Sequence, residues 1–337
     1  MRVSIGTAAA PGRRAVLAGL GGTLATSMAA AQGSAGQPEV SNGVVIGRNG
    51  WLFQLAAEPA GTYIKTVDQG VCDVVSEAAG ILRAAGIEPA LVLVPSKNRV
   101  YRVHTGSARN PPEFQNRYGY VLGEFRRNGV MAPDIDAIFS RSIAERPNEH
   151  LYFRTDSHWT PRGAELAAAV LAQALRTSNR LGPSRANGTR LMPPVTQVQT
   201  AGDLQRLLPP ERRGAFPPEE YAIRLPDERS RGLLDDDAAE IALVGPSFLE
   251  PRYAYHNIVS NQMSRPVQLS WRPNNLGPFT ILLEYLRSPE FRAQRPKILA
   301  WHFLELNMAS GPNSATWGRS IMAATQFRDE LRRLLGS

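Results

Sequence analysis

Apolar residues along the chain alternate between helical spacing and short uninterrupted runs. Residues 74–85 carry apolar side chains three and four positions apart, which predicts an amphipathic helix that Asp73 could cap. Gly86 ends this pattern, and a fully apolar run follows at residues 90–94. A helix, a glycine and a fully apolar strand are typical of a parallel strand that is covered on both faces.

The same alternation recurs later, so we expect one α/β domain with a mainly parallel sheet covered by helices. Further buried strands are predicted at residues 241–244 and 298–301. Further helices are predicted around residue 118, from Pro161 onward and over residues 316–335.

The N-terminus has the pattern of a secretory signal. Arg13 and Arg14 precede an apolar, glycine-rich run, and small residues follow at positions 29–31. A charged start, a short apolar middle and a small-residue end indicate export, and the arginine pair favours the twin-arginine route. An uncleaved signal that anchors the protein has the same pattern. We therefore predict a signal peptide at 1–31, a linker at 32–41 and one catalytic domain at 42–337.

The composition of the chain excludes some classes of binding partner and of metal site. The net charge is +8, and nearly all basic groups are arginines, with lysine at Lys65, Lys97 and Lys297. No dense basic run is interleaved with aromatic residues, so nucleic acid is not an expected partner. Cys72 is the single cysteine, which excludes an internal disulfide and a thiolate metal cluster.

Asp156 and His158 form the first candidate chemical element. Two positions apart, they can face the same side of an extended segment, directly before a helix that Thr160 can cap. An aspartate beside a histidine favours one imidazole tautomer and stabilises the imidazolium. A structural histidine near a capped helix is the simpler interpretation. The pair could also supply two metal ligands, but no third ligand is obvious and the other histidines lack metal-site spacing.

Ser247 is the second element. It follows the predicted strand at 241–244 and Gly245, and so lies at a strand tip, where ligands bind in open α/β sheets. A Gly-x-Ser sequence alone is more often an ordinary turn. Together with Asp156 and His158, however, it supplies a nucleophile, a base and an orienting acid, the requirement for acyl transfer.

The chain resembles the alginate O-acetyltransferase family in motifs that occur in the same order. These are Gly-Arg-Asn-Gly-Trp-Leu-Phe at 47–53, Val-Pro-Ser-Lys-Asn-Arg-Val-Tyr at 94–101, Thr-Asp-Ser-His-Trp-Thr at 155–160, Gly-Asp-Leu at 202–204 and Gly-Pro-Ser-Phe at 245–248. The aspartate and histidine precede the serine, which is the permuted order of this family. The similarity extends from about residue 41 to residue 308.

The resemblance implies a three-layer α/β/α fold of the SGNH-hydrolase type and a periplasmic O-acetyltransferase without a cofactor or metal. Ser247 would be the nucleophile, His158 the general base and Asp156 the orienting acid. An acetyl group would pass through an acetyl-serine to a hydroxyl of an exopolysaccharide. The family also implies a membrane-bound O-acyltransferase as the partner that supplies acetyl groups, since acetyl-CoA is cytoplasmic.

Two departures from the family pattern keep other functions open. Pro246 removes a backbone N–H directly before Ser247, and Leu306 stands where the family has an arginine. A carbohydrate acetylesterase would use the same triad with water as the acceptor. A catalytically silent, polysaccharide-binding subunit of an export complex is the alternative from another class.

Oxyanion or substrate contacts are expected from four residues. The backbone N–H of Phe248 follows the strand tip and can stabilise an oxyanion. Tyr253 matches a tyrosine near the family's active site, although it could equally be a packing residue. Asn274 or Asn275, ahead of the Gly-Pro-Phe at 277–279, could donate to an oxyanion.

Overall fold

The computed structural model describes residues 38–57, 65–106, 115–184, 186–228 and 239–336. The predicted signal peptide at 1–31 and most of the predicted linker lie outside these residues, so both stay predictions. Within the described ranges, every helix is too short or too polar to cross a bilayer.

The described strands, in chain order, are β1 Glu39–Ser41, β2 Val44–Ile46, β3 Leu52–Gln54, β4 Glu88–Val94, β5 Val195–Gln199, β6 Glu219–Ile223, β7 Ile241–Gly245, β8 Val267–Trp271 and β9 Ile298–Leu304. The described α-helices are α1 Lys65–Ala84, α2 Lys97–Val100, α3 Arg102–Thr105, α4 Arg117–Arg127, α5 Ile135–Glu145, α6 Pro161–Arg176, α7 Asp203–Leu207, α8 Pro210–Arg213, α9 Tyr255–Met263, α10 Gly277–Arg287, α11 Pro289–Ala293 and α12 Ala324–Leu335.

A parallel sheet in the order β4-β9-β7-β8 forms the centre of the domain. Alternate residues of its strands enter two separate hydrophobic cores. Helices α5, α6 and α9 cover one face, and α1, α4, α10 and α12 cover the other. The expected three-layer α/β/α fold is thus confirmed, and the sheet directs the carboxyl ends of β4, β9, β7 and β8 toward one edge.

Two small antiparallel sheets lie outside the central one. The first contains β1, β2 and β3, and the backbone N–H of Leu52 in β3 donates to the carbonyl of Arg154 at 2.8 Å. The second pairs β5 with β6. Strand β1 lies in the predicted 32–41 linker, so residues 39–41 of that segment are paired with β2.

Several sequence predictions are refined by the structure. The helix predicted at 74–85 starts nine residues earlier, at Lys65, so Asp73 lies inside it and the proposed cap is wrong. The C-terminal pattern at 316–335 divides into a 3₁₀ segment and α12. Strand β8 was missed because polar Gln268 and Ser270 alternate with its apolar residues, and all five residues are only partly buried.

Gly245 ends β7 where the neighbouring strand β9 approaches closely. A Cβ added at this position would lie 2.5 Å from the Cβ of His302. We expect Gly245→Ala to lower the free energy of unfolding by about 1–3 kcal/mol, the usual cost of overpacking. Gly80→Ala is the matched control, because an added Cβ in this exposed helical position meets nothing within 4 Å. Urea unfolding of both variants checks this, and equal stabilities would contradict it.

Candidate active site

The three residues predicted to act together meet at the carboxyl edge of the sheet. His158 Nε2 lies 2.7 Å from Ser247 Oγ, and His158 Nδ1 lies 2.7 Å from Asp156 Oδ1. Ser247 follows β7 and begins a 3₁₀ turn, while Asp156 and His158 belong to the loop before α6. A carboxylate, an imidazole and a hydroxyl therefore form one continuous chain of hydrogen bonds.

A narrow antiparallel loop presents Asp156 and His158. Its two sides are joined by a bridge between Tyr152 and Trp159 and by a hydrogen bond from the Thr160 N–H to the Leu151 carbonyl at 2.9 Å. The Thr160 side chain then caps α6, as predicted, by accepting the N–H of residue 163 at 3.2 Å. Loop closure and helix start together set the direction in which the imidazole points.

The Asp156 carboxylate is fully buried and accepts several hydrogen bonds. Oδ1 accepts the backbone N–H of His158 at 3.0 Å in addition to the imidazole, and Oδ2 accepts the backbone N–H of Asp203 at 3.1 Å. Burial alone would raise the pKa of Asp156, but the hydrogen bonds and charge of His158 and the N–H of Asp203 outweigh burial and lower it. The carboxylate is therefore held ionised, with the Nδ1 proton directed toward it.

Asp203 is a site residue that sequence reasoning missed. Its Oδ1 accepts the Ser157 N–H at 2.6 Å, its Oδ2 accepts the Ser157 hydroxyl at 2.5 Å, and Oδ2 lies 3.5 Å from His158 Nδ1. Gly202 permits this approach, because an added Cβ would lie 2.1 Å from the Thr155 carbonyl oxygen. The Gly-Asp-Leu motif was the available signal, but a sequence motif does not reveal its neighbours in space.

With Asp203, the fold also supplies the third potential metal ligand that the sequence did not reveal. Ligand atoms of Asp156, His158 and Asp203 lie within 4.8 Å of one another. A metal there would need an unprotonated Nδ1, whereas Nδ1 faces the Asp156 carboxylate and Nε2 faces Ser247. The arrangement thus matches proton transfer more closely than metal binding.

Lys97 holds the loop that carries Asp156 and His158 through hydrogen bonds to its backbone. Its buried ammonium donates to the backbone carbonyls of Leu52 at 2.6 Å, Arg154 at 2.9 Å and Asp156 at 2.8 Å. Burial lowers the pKa of Lys97 to about 7, against the opposing charges of Glu219 and Asp156. Glu219 in turn accepts the Arg154 N–H at 2.8 Å. The family motif contains Lys97, but only the fold reveals that it joins three segments.

Aromatic rings enclose the imidazole. The ring centroid of Phe248 lies 4.7 Å from that of His158, and Tyr253 stacks on His158 at 5.4 Å. The Arg252 guanidinium lies over the Tyr253 ring, 4.6 Å from its centroid. The buried Tyr253 hydroxyl has no hydrogen-bond partner among the described residues. Tyr253 is thus beside the base, as its sequence position suggested.

The structure keeps Phe248 as an oxyanion candidate and places the side chain of Asn274 in another hydrogen bond. The N–H of Leu249 donates to the Pro246 carbonyl at 2.9 Å and that of Glu250 to the Ser247 carbonyl at 3.0 Å, so the N–H groups of Ser247 and Phe248 remain as oxyanion candidates in this turn. The Asn274 side-chain oxygen accepts from Asn307 Nδ2 at 3.0 Å. Neither Asn274 nor its exposed neighbour at 275 hydrogen-bonds the triad within the described ranges.

Known proteins share both the sequence pattern and the fold. Residues 44–305 match the family model described as the SGNH hydrolase-like domain of the acetyltransferase AlgX. The chain is 30% identical over 306 residues to a probable alginate O-acetylase AlgJ of Pseudomonas aeruginosa, covering 84% of this chain and 75% of the relative. It is 27% identical over 296 residues to the AlgJ protein of Pseudomonas fluorescens, covering 84% and 73%.

Solved structures agree on the fold. The O-acetyltransferase domain of Pseudomonas putida AlgJ is similar with a TM-score of 0.67 at 24% identity, over 85% of this chain and 99% of that domain. AlgX of Pseudomonas aeruginosa is similar with a TM-score of 0.58 at 20% identity, over 80% of this chain and 67% of that structure.

Asp203→Asn tests the charge beside the imidazole. Partial burial, and then the Asp156 charge, raise the pKa of Asp203, so the folded state holds its proton more tightly than the unfolded chain. The ionised group therefore costs stability above its folded pKa, and this cost disappears as the pH falls to the unfolded value near 3.9. We expect the variant to gain stability relative to the native protein at neutral pH, and this gain to vanish in acid.

The same variant should lower acyl-transfer activity about tenfold, because one negative charge near the imidazolium is lost. Unfolding curves and rates measured across the pH range check both effects. A stability difference that is the same at every pH would contradict the role given to the Asp203 charge.

Proposed function

Because the chain belongs to the family of the SGNH hydrolase-like domain of the acetyltransferase AlgX, we propose that it is an O-acetyltransferase that modifies the hydroxyl groups of an exopolysaccharide. The observation that carries this proposal is the continuous hydrogen-bonded chain of Ser247, His158 and Asp156, with contacts of 2.7 Å at both links. The acceptor class is supported by relatives named as alginate O-acetylases.

In the first half-reaction, Ser247 Oγ attacks the carbonyl carbon of an acetyl donor. The hydroxyl proton passes to His158 Nε2, and the bond between the acetyl group and its carrier breaks as Nε2 returns that proton to the leaving group. The proton on Nδ1 stays with the imidazole, directed at Asp156, which stabilises the transient imidazolium. An acetyl-serine remains.

In the second half-reaction, a sugar hydroxyl takes the place of the leaving group. Its oxygen attacks the acetyl-serine while Nε2 accepts its proton, and Ser247 Oγ leaves with a proton from His158. The negative oxygen of each tetrahedral intermediate needs N–H donors. Pro246 has no N–H and those of Leu249 and Glu250 are already bonded, which leaves Ser247 and Phe248, and we assign one of the donors to Phe248.

Water exclusion would favour a sugar over water as the acceptor. His158 is 7% exposed and contacts the rings of Phe248 and Tyr253, so little of the imidazole surface faces solvent. An acetylesterase would use the same triad with water. The geometry of the triad therefore supports an acyl-transfer enzyme, and product analysis distinguishes a sugar acceptor from water.

The cellular setting is also a proposal. The N-terminal arginine pair and apolar run support export to the periplasm, by cleavage of residues 1–31 or with the signal kept as an anchor. An exported enzyme cannot reach cytoplasmic acetyl-CoA. A membrane-bound O-acyltransferase that passes acetyl groups outward would meet this need.

Ser247→Ala should reduce acetyl transfer from a chromogenic acetyl ester to an oligosaccharide by at least about a thousandfold, as loss of a catalytic serine does elsewhere. Asp156→Asn should retain the fold and reduce the rate of acetyl transfer by a similar factor, because the imidazole is no longer held in the tautomer that can accept the serine proton. Mass spectrometry after a short pulse of ester should find one acetyl group on the peptide that contains Ser247.

Product partition distinguishes the candidate functions. Acetylated oligosaccharide as the main product supports a transferase, whereas free acetate with unmodified sugar would show an esterase. Unchanged rates in Ser247→Ala, with no acetylated peptide in the native protein, would contradict the acetyl-serine mechanism. This result would favour a catalytically silent, polysaccharide-binding subunit.

A further inference from the structure

A basic cleft of about 440 Å³ lies at the end of the sheet opposite Ser247. It is lined by Arg287 at the end of α10, Arg292 in α11, Arg295 before β9, Arg333 in α12 and the ring of Phe291. We call it the arginine cleft. Strand β9 starts directly after it and runs seven residues to the catalytic edge, which separates the two by about 20 Å.

The cleft carries more positive than negative charge. Glu330 accepts from Arg287 at 2.7 Å and from Arg333 at 2.5 Å, so one carboxylate holds two guanidinium groups in place. Arg292 and Arg295 have no carboxylate partner among the described residues. Of the four arginines in the lining, two are thus paired with one carboxylate, which itself lies outside the lining.

Arg292 and Arg295 are exposed and keep N–H donors that are available to a ligand. Arg292 donates to the backbone carbonyls of Ser288 at 3.4 Å and Arg287 at 2.6 Å, and Arg295 donates to that of Leu335 at 3.2 Å. These contacts hold each side chain at a helix end, where cations are favoured. A guanidinium has five N–H donors, so most donors of both groups remain available.

The arrangement suits carboxylate groups on an extended ligand. Guanidinium groups bind carboxylates through paired, charge-assisted hydrogen bonds, and several in one cleft favour a ligand with a repeated anionic group. The Arg295 guanidinium lies 5.4 Å from the centroid of the buried Phe291 ring, and this contact helps to hold the arginine side chain in place at the cleft.

We propose that the arginine cleft is a second polymer site, which binds the carboxylate groups of a uronic acid-containing polysaccharide. The proposal rests on the proposed function in one respect: the ligand is a remote stretch of the acceptor polymer. Binding there holds the chain near the enzyme while another stretch of the same polymer reaches Ser247. Affinity for a long acceptor then exceeds that for a short one.

The shape of the cleft favours a polymer over a membrane surface. Membrane-surface elements combine basic groups with exposed apolar side chains that enter the lipid. Here Phe291 is buried, and none of the exposed large hydrophobic residues lines the cleft. A concave site accepts a single chain, whereas a bilayer presents a flat surface.

The test compares Arg292→Gln/Arg295→Gln with Arg328→Gln/Arg332→Gln. The second pair removes two charges from α12 outside the cleft, where Arg328 contacts Glu77 and Arg332 contacts Asp329. Binding of a fluorescent alginate oligomer is measured at low and high salt, with neutral dextran and anionic phospholipid vesicles as further probes. Thermal unfolding establishes that both variants are folded.

We expect the cleft variant to weaken alginate binding at least about tenfold at low salt and the control variant to change it less than twofold. The cleft variant should also raise KM for long acceptors, with unchanged kcat and unchanged hydrolysis of a chromogenic ester. Ser247→Ala should bind the oligomer normally, so failure of the catalytic scheme leaves this test intact. Equal losses in both variants, no loss in either, or a loss confined to vesicle binding would overturn the proposal.

Discussion

The buried carboxylate of Asp156 is the interaction on which the rest of the site depends. An ionised group without water is costly unless hydrogen bonds replace the water. Here backbone N–H groups of His158 and Asp203 and the imidazole itself supply them, while Lys97 holds the carbonyl of the same residue. The hydrogen bonds of this one residue, through its carboxylate and its backbone carbonyl, therefore bring together the loop before α6, the start of α7 and the segment after β4.

That requirement explains why residues far apart in the chain are coupled. The Gly202 backbone must come within contact of Thr155 for the Asp203 N–H to reach Asp156, and no side chain fits between them. The carboxylate of Asp203 then holds Ser157 and adds a second negative charge near the imidazole. Orientation of the base and its electrostatic environment thus come from the same contacts.

The two ends of the parallel sheet separate two kinds of chemistry. At the carboxyl edge, the turn after β7 presents a hydroxyl to the imidazole and buried carboxylate of the loop before α6, beside the rings of Phe248 and Tyr253. At the opposite end, helix termini present guanidinium groups in an open cleft. A reaction site needs exclusion of water, whereas capture of a charged polymer needs accessible charge, and the fold keeps these demands apart.

The amino-acid sequence was enough to identify the fold class, and it predicted Ser247, His158 and Asp156 as a triad, which the structure brings together. Continuous apolar runs identify parallel strands because both faces of such strands are buried, and Ser247, His158 and Asp156 lie in motifs with local signatures. Other features of the fold and of the site depend on tertiary contacts. Strand β8 alternates polar with apolar residues at the sheet edge, so its pattern was ambiguous. Contacts between distant segments create the position of Asp203 beside His158, the hydrogen bonds of Lys97 and the arginine cleft. The pattern of residues along the chain does not show which segments come into contact.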